Sequence, residues 1–157
     1  MALYLVQHGL SRPKEEDPNR PLSDQGRKDT KRIAEVARDY KVRVKRIEHS
    51  PKDRARETAE ILASFLNPEQ GTAERSGIKA LDDVAAVAPE LMEREGLLLV
   101  SHLPFLERLA AYLITGKEEP RVIRFQNSGI VCLGRDEDTS LWSVKWTLMP
   151  RIGGNSC

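Results

Sequence analysis

Cysteine, aromatic residues and histidine are scarce in this chain, and neither sign of charge prevails. Cys132 and Cys157 are the only cysteines among 157 residues. They have no metal-type spacing and make no disulfide framework, so a reducing, cytoplasmic setting is expected. The 25 basic and 24 acidic residues leave a net charge of +1. That balance lacks the basic excess of a general nucleic-acid or anionic-membrane binder. No apolar run approaches the roughly 20 residues of a membrane span, and Met1 leads into a strand pattern without a basic leader, so neither a span nor a signal peptide is expected. Repeats and low-complexity stretches are absent as well. The basic run Lys41 to Arg46 reads as a solvated approach to a strand, and Thr115-Gly116-Lys117 lacks the glycine spacing of a P-loop.

What is present is a pattern of short apolar runs and amphipathic stretches. Leu3 to Val6 and Leu97 to Val100 are nearly continuous, the pattern of strands covered on both faces of a parallel sheet. Val44 to Glu48 reads as another strand. Ser23 is a good N-cap for a helix to about Tyr40, with Ile33, Val36, Ala37 and Tyr40 inward. Ser50-Pro51-Lys52-Asp53 opens a second helix, with Ser50 as cap; Ala55, Ala59, Leu62 and Leu66 form its buried face, and Asn67-Pro68 ends it. A third helix spans Asp82 to Arg94 and a fourth Pro104 to Ile114, closed by Gly96 and Gly116. Val122 to Phe125, Gly129 to Gly134 and Leu141 to Leu148 read as strands, the last two a hairpin in which Trp142 and Trp146 share a face. The expected fold is an α/β open three-layer sandwich: a mostly parallel central sheet, helices on both faces, and an antiparallel C-terminal hairpin edge. One domain over residues 1–149 is expected, with 150–157 as a tail.

The three histidines, His8, His49 and His102, each follow an expected strand. In an open α/β sheet ligands gather outside the carboxyl ends of the strands, where helix N-termini favour anions. Arg54 lies early in its helix and leans back toward this rim, and Arg12 and Arg20 lie in the proline-rich loop leaving the first strand. Imidazoles with guanidinium forks suit a phosphoryl group: one imidazole attacks phosphorus while the cations hold its oxygens. The spacing offers no convincing metal site, and no cofactor is expected.

The segments "LVQHGLS", "RPLSDQG", "SPKDRARETA" and "VSHLPF", in that order, resemble the histidine phosphatase superfamily, and most of all its small phosphohistidine phosphatases of the SixA type. The resemblance runs from about Leu3 to Met149. It implies His8 as a transiently phosphorylated nucleophile, Arg54 as a phosphate clamp and His102 as a second imidazole on the phosphoryl oxygens. It also implies that Arg20 and Ser11 reach the substrate, and that Gly9 lets the chain turn sharply beneath the phosphate, where a side chain would intrude.

Position 7 departs from the family's Arg-His-Gly: here it is Gln7-His8-Gly9. Glutamine offers a neutral amide where arginine brings a permanent charge and a fork. Arg54, a protonated His102 and a loop arginine remain to hold the dianion. Three readings of Gln7 stay open: a tolerated donor, a loss compensated by Arg12 or Arg20, or the mark of a binding module without turnover.

Phosphohistidine is the substrate most easily cleaved by such a site, because imidazole leaves as a far better group than an alkoxide. Loop 79–83 is the source of any weak acid, Asp83 foremost, although Asp82 and Asp83 equally suit a helix start. The expected partner is a phosphorylated histidine-containing protein, or a small phosphorylated substrate. A broad phosphomonoesterase and a non-catalytic phosphoprotein-binding module are the alternatives. His49 is left open between the pocket rim and the surface.

Overall fold

The computed structural model describes residues 1–153. Among them, in chain order, lie β1 (Ala2–Gln7), α1 (Asp24–Asp39), β2 (Arg46–His49), α2 (Asp53–Leu66), β3 (Thr72–Glu74), α3 (Val84–Leu91), β4 (Leu97–Ser101), α4 (Phe105–Thr115), β5 (Ile130–Arg135) and β6 (Trp142–Leu148). The sheet order is β3-β2-β4-β1-β5-β6. Pairs β3-β2, β2-β4 and β4-β1 are parallel, whereas β1-β5 and β5-β6 are antiparallel. This is the mostly parallel α/β fold with the expected hairpin edge.

The continuous apolar runs are explained by burial on both faces. Leu3, Leu5, Leu97 and Leu99 pack under α3 and α4, against Val84, Leu91, Phe105 and Leu109. The alternate residues Tyr4, Val6, Leu98 and Val100 pack under α1 and α2, against Ile33, Ala37, Ala59 and Leu62. Because β1 and β4 are central neighbours, their carboxyl ends open side by side at the rim. The amide of His8 donates to the carbonyl of Ser101 at 3.0 Å, and that of Ser50 to Val100 at 3.1 Å. The ends of β1, β2 and β4 are thereby held together.

Several local expectations give way to tertiary structure. Tyr40, expected inward, is 80% exposed; α1 ends at Asp39 and Ala34 takes its share of the buried stripe. Ser50 does not cap α2, which begins two residues later behind Lys52 without a side-chain cap. Helix α3 is shorter than expected, starting behind Asp83, whose carboxylate accepts the amide of Ala85 at 3.0 Å, and ending at Leu91. Val122 to Phe125 forms no strand: it is a loop that contributes Phe125 to the core. Strand β3 escapes the sequence reading because its three residues carry no apolar signal. Trp142 and Trp146 lie on opposite faces, one in each core layer, because a bulge between Cys132 and Leu133 shifts the register of β6. Of the expected tail, the carbonyl of Pro150 accepts from Arg32 and Arg151 pairs with Asp29 at 3.1 Å. Residues 154–157 lie outside the described residues.

Candidate active site

At the rim, an open cavity of about 340 Å³ is bounded by Gln7, His8, Ser11, Arg20, Arg54 and His102, with Asn127 among its further walls. His8 and His102 stand at the ends of adjacent parallel strands, which brings their ring centroids to 5.0 Å. His8 Nδ1 lies 2.7 Å from the carbonyl of Gly9. A carbonyl only accepts, so the ring proton sits on Nδ1 and the lone pair on Nε2. Arg54 agrees with that assignment: its Nε–H donates to His8 Nε2 at 3.3 Å. The imidazole is thus fixed in the tautomer that presents a lone pair to the cavity. Burial, together with Arg54 and Arg20, outweighs the Gly9 contact and lowers the His8 pKa to about 4.

His102 is held by a different partner. Its Nε2 lies 2.5 Å from the Ser50 hydroxyl, which also accepts the amide of Lys52 at 3.4 Å. That explains why Ser50 is lost as a helix cap. Nδ1 of His102 is buried with no partner among the described residues. Burial first, then His8, Arg54 and Lys52, push the His102 pKa down to about 3. With no anion bound, both imidazoles are therefore neutral at pH 7, and Arg54 and Arg20 carry the positive charge.

The loop from β1 to α1 brings Arg20 in and leaves Arg12 out. Its ends are closed by the Ser11–Leu22 bridge and by the Arg12 amide donating to Pro21 at 2.8 Å. Arg20 adopts φ 49° and its guanidinium donates to the Ser11 hydroxyl at 3.2 Å. Gln7 lines the cavity, yet its Oε1 is buried with no donor among the described residues. At Gly9 a side chain would intrude, as expected. An added Cβ would stand 2.8 Å from Thr30 Oγ1 and 2.9 Å from Leu22 Cδ2.

Asp83, expected as a weak acid, and His49, left open, both fall elsewhere. Asp83 caps α3 and does not line the cavity. His49 is buried, with Nδ1 2.9 Å from the Ser50 carbonyl, and belongs neither to the cavity wall nor to the surface. No carboxylate among the described residues lines the cavity. Sequence reasoning missed the role of Ser50, and it missed Asn127, whose amide donates to the carbonyl of His8 at 2.9 Å. The polar pair Asn127-Ser128 before a strand was the available signal, but nothing local shows that this strand lies beside β1.

An α/β rim offering neutral imidazoles and unbalanced guanidinium groups suits a phosphoryl group, and known proteins show similarities of the same kind. Residues 3–76 match the histidine phosphatase superfamily (branch 1). The phosphohistidine phosphatase SixA of Escherichia coli (strain K12) is 28% identical over 156 residues, covering 96% of this chain and 94% of that protein. A solved structure of the protein histidine phosphatase SixA complexed with tungstate superposes with a TM-score of 0.82 at 26% identity, covering 96% of this chain and 97% of that one. For the fold alone, a putative phosphohistidine phosphatase SixA from Agrobacterium tumefaciens gives a TM-score of 0.76 at 22% identity, covering 95% and 97%. The histidine phosphatase match thus lies in the first half of the chain, and similarity to SixA in sequence and fold runs over nearly its whole length; on that similarity the protein is a phosphatase, a hydrolase.

Proposed function

We propose that this phosphatase removes the phosphoryl group from a phosphohistidine on a partner protein, through a transient phosphohistidine at His8. The observation that carries the reading is the cavity's composition: a lone pair on His8 Nε2, cations from Arg54 and Arg20, and no carboxylate among the described residues. A serine or sugar phosphate expels an alkoxide and calls for a placed acid, whereas phosphohistidine expels imidazole, whose conjugate acid has a pKa of about 6.5. The similarity to SixA, a phosphohistidine phosphatase by name, supports the same reading.

In the first step the Nε2 lone pair of His8 attacks phosphorus. The substrate N–P bond breaks, and the departing imidazole keeps that electron pair and takes a proton from solvent. The Nδ1–H bond to Gly9 stabilises the charge that develops on the His8 ring. Arg54 and Arg20 hold the phosphoryl oxygens, and neutral His102 donates from the ring nitrogen that bears its proton. Water then attacks phospho-His8, its N–P bond breaks back onto Nε2, and inorganic phosphate leaves with the water's proton released. Gln7 contributes amide contact rather than charge, so Arg20 compensates for the missing arginine.

Incubation with a phosphorylated histidine-containing domain, quenched in alkali, tests this. Acid-labile phosphate on His8 and turnover abolished in His8→Ala but kept in Arg12→Ala support it. Faster turnover of generic monoesters would make the protein a broad phosphomonoesterase. Binding without turnover would make it a phosphoprotein-binding module, the reading that Gln7 keeps open.

A further inference from the structure

A second depression of about 290 Å³ adjoins the cavity and shares Arg54, Ala80 and His102 with it; Lys52, Lys79 and Asp82 complete its charged lining. Both lysines are exposed, and neither ammonium has an ion-pair partner among the described residues. Three cations therefore face one carboxylate, and that carboxylate is engaged: Asp82 Oδ2 accepts the amide of Lys79 at 2.7 Å. Lys52 is also the N-cap of α2 and gives it no side-chain cap, so the first-turn N–H groups add to the positive field. His102, 3% exposed, with an unpartnered Nδ1, walls both depressions.

The loop carrying Lys79 is pinned rather than loose. Ile78 is fully buried and its carbonyl accepts from the Ser101 hydroxyl, one residue before His102. Arg108 of α4 donates to the carbonyl of Asp82 at 3.1 Å. Loop 79–83, expected to supply an acid, instead holds a cation beside the phosphoryl cavity.

We propose that Lys52 and Lys79 form an anion subsite that takes a carboxylate carried by the substrate next to its phosphoryl group. The proposal rests on the phosphohistidine reading and deepens it: preferred substrates bear an acidic side chain beside the phosphohistidine. Leu81, 84% exposed at the edge of this depression, offers such a protein surface an apolar contact.

The test compares kcat/KM for two phosphohistidine peptides, one flanked by glutamates and one by glutamines. A matched pair of small phosphate monoesters, with and without a neighbouring carboxylate, serves as the second arm. The parent protein is expected to prefer the acidic peptide by about tenfold, the scale of one charge-assisted contact. In the Lys52→Ala/Lys79→Ala double variant that preference disappears while the glutamine peptide is turned over as before. Lys79→Glu reverses it. A preference confined to the peptides assigns the carboxylate to a protein substrate, and one in the monoesters as well extends the subsite to small molecules. No acidic preference in either pair, or one that survives in the double variant, overturns the proposal. Should neither peptide be turned over while the monoesters are, the phosphohistidine reading fails and the monoester pair alone decides the subsite.

Discussion

Two arginine-rich clusters in this molecule are wired in opposite ways. In the first, Glu48 is buried on β2 and accepts from Arg75 at 2.8 Å, Arg46 at 3.0 Å and Arg94 at 3.1 Å, while Arg94 also meets Glu90 at 2.8 Å. Burial alone would raise the Glu48 pKa, but the hydrogen bonds from Arg75 and Arg46 bring it below the usual carboxylate range. In the second, Arg54 and Arg20 face two neutral imidazoles and, among the described residues, no carboxylate. Arginine content is therefore no guide to the site. The absent counter-ion is, because an uncompensated guanidinium beside a neutral lone pair is built for an anion that arrives from outside.

The sharpest contrast between the clusters lies in what their loss does. His8→Ala is expected to lower turnover about a thousandfold or more, with no acid-labile phosphate formed and the thermal midpoint nearly unchanged. Arg54→Ala should lower kcat/KM by about 100- to 1,000-fold, since it removes a cation aimed at the reacting group. Glu48→Gln should do the reverse: kcat unchanged and stability in urea reduced by about 2 kcal/mol, because partly buried guanidinium groups lose the charge of their buried carboxylate. Should Glu48→Gln slow catalysis without destabilising the fold, the division between the clusters is wrong.

Acid should separate them further. The unfolded chain's imidazoles titrate near 6.5, whereas His8 and His102 are held at about 4 and about 3. Between those values the unfolded state binds more protons, so their contribution is fully present above about pH 6.5 and is lost as pH falls toward 4. At about 1.4 kcal/mol per pK unit, the pair contributes on the order of a few kcal/mol. Urea midpoints at pH 7 and pH 4.5 should differ for the parent and differ less for His102→Gln. The acid limb of kcat/KM should lie near the lowered His8 pKa of about 4.

The smallest expected effect sharpens the question of position 7. Gln7→Arg removes a buried acceptor without a donor and adds a fixed charge beside His8. Vanadate should bind about tenfold tighter, and the His8 pKa should fall further. Identical titration and binding in parent and variant would leave Gln7 without the role given to it.

The strand ends and the arrival of His8, His102 and Arg54 at one cavity were legible in the sequence because each depends on local rules: an apolar run that stops, a helix that starts. His49 obeys the same rules and lies off the cavity. Its neighbour Ser50 illustrates why: a serine before proline satisfies a helix-start pattern, but the ring of His102, 52 residues away, takes its hydroxyl. Asn127 and the tryptophan faces were illegible for a related reason, since they depend on which strand lies beside β1 and on a bulge that no local pattern marks.

The most direct measurement is a crystal structure of the protein with vanadate. The expected result is vanadium bonded to His8 Nε2, with its oxygens held by Arg54 and His102. Vanadate bound elsewhere, or at the rim without touching His8, would contradict the shared oxyanion site on which the mechanism depends.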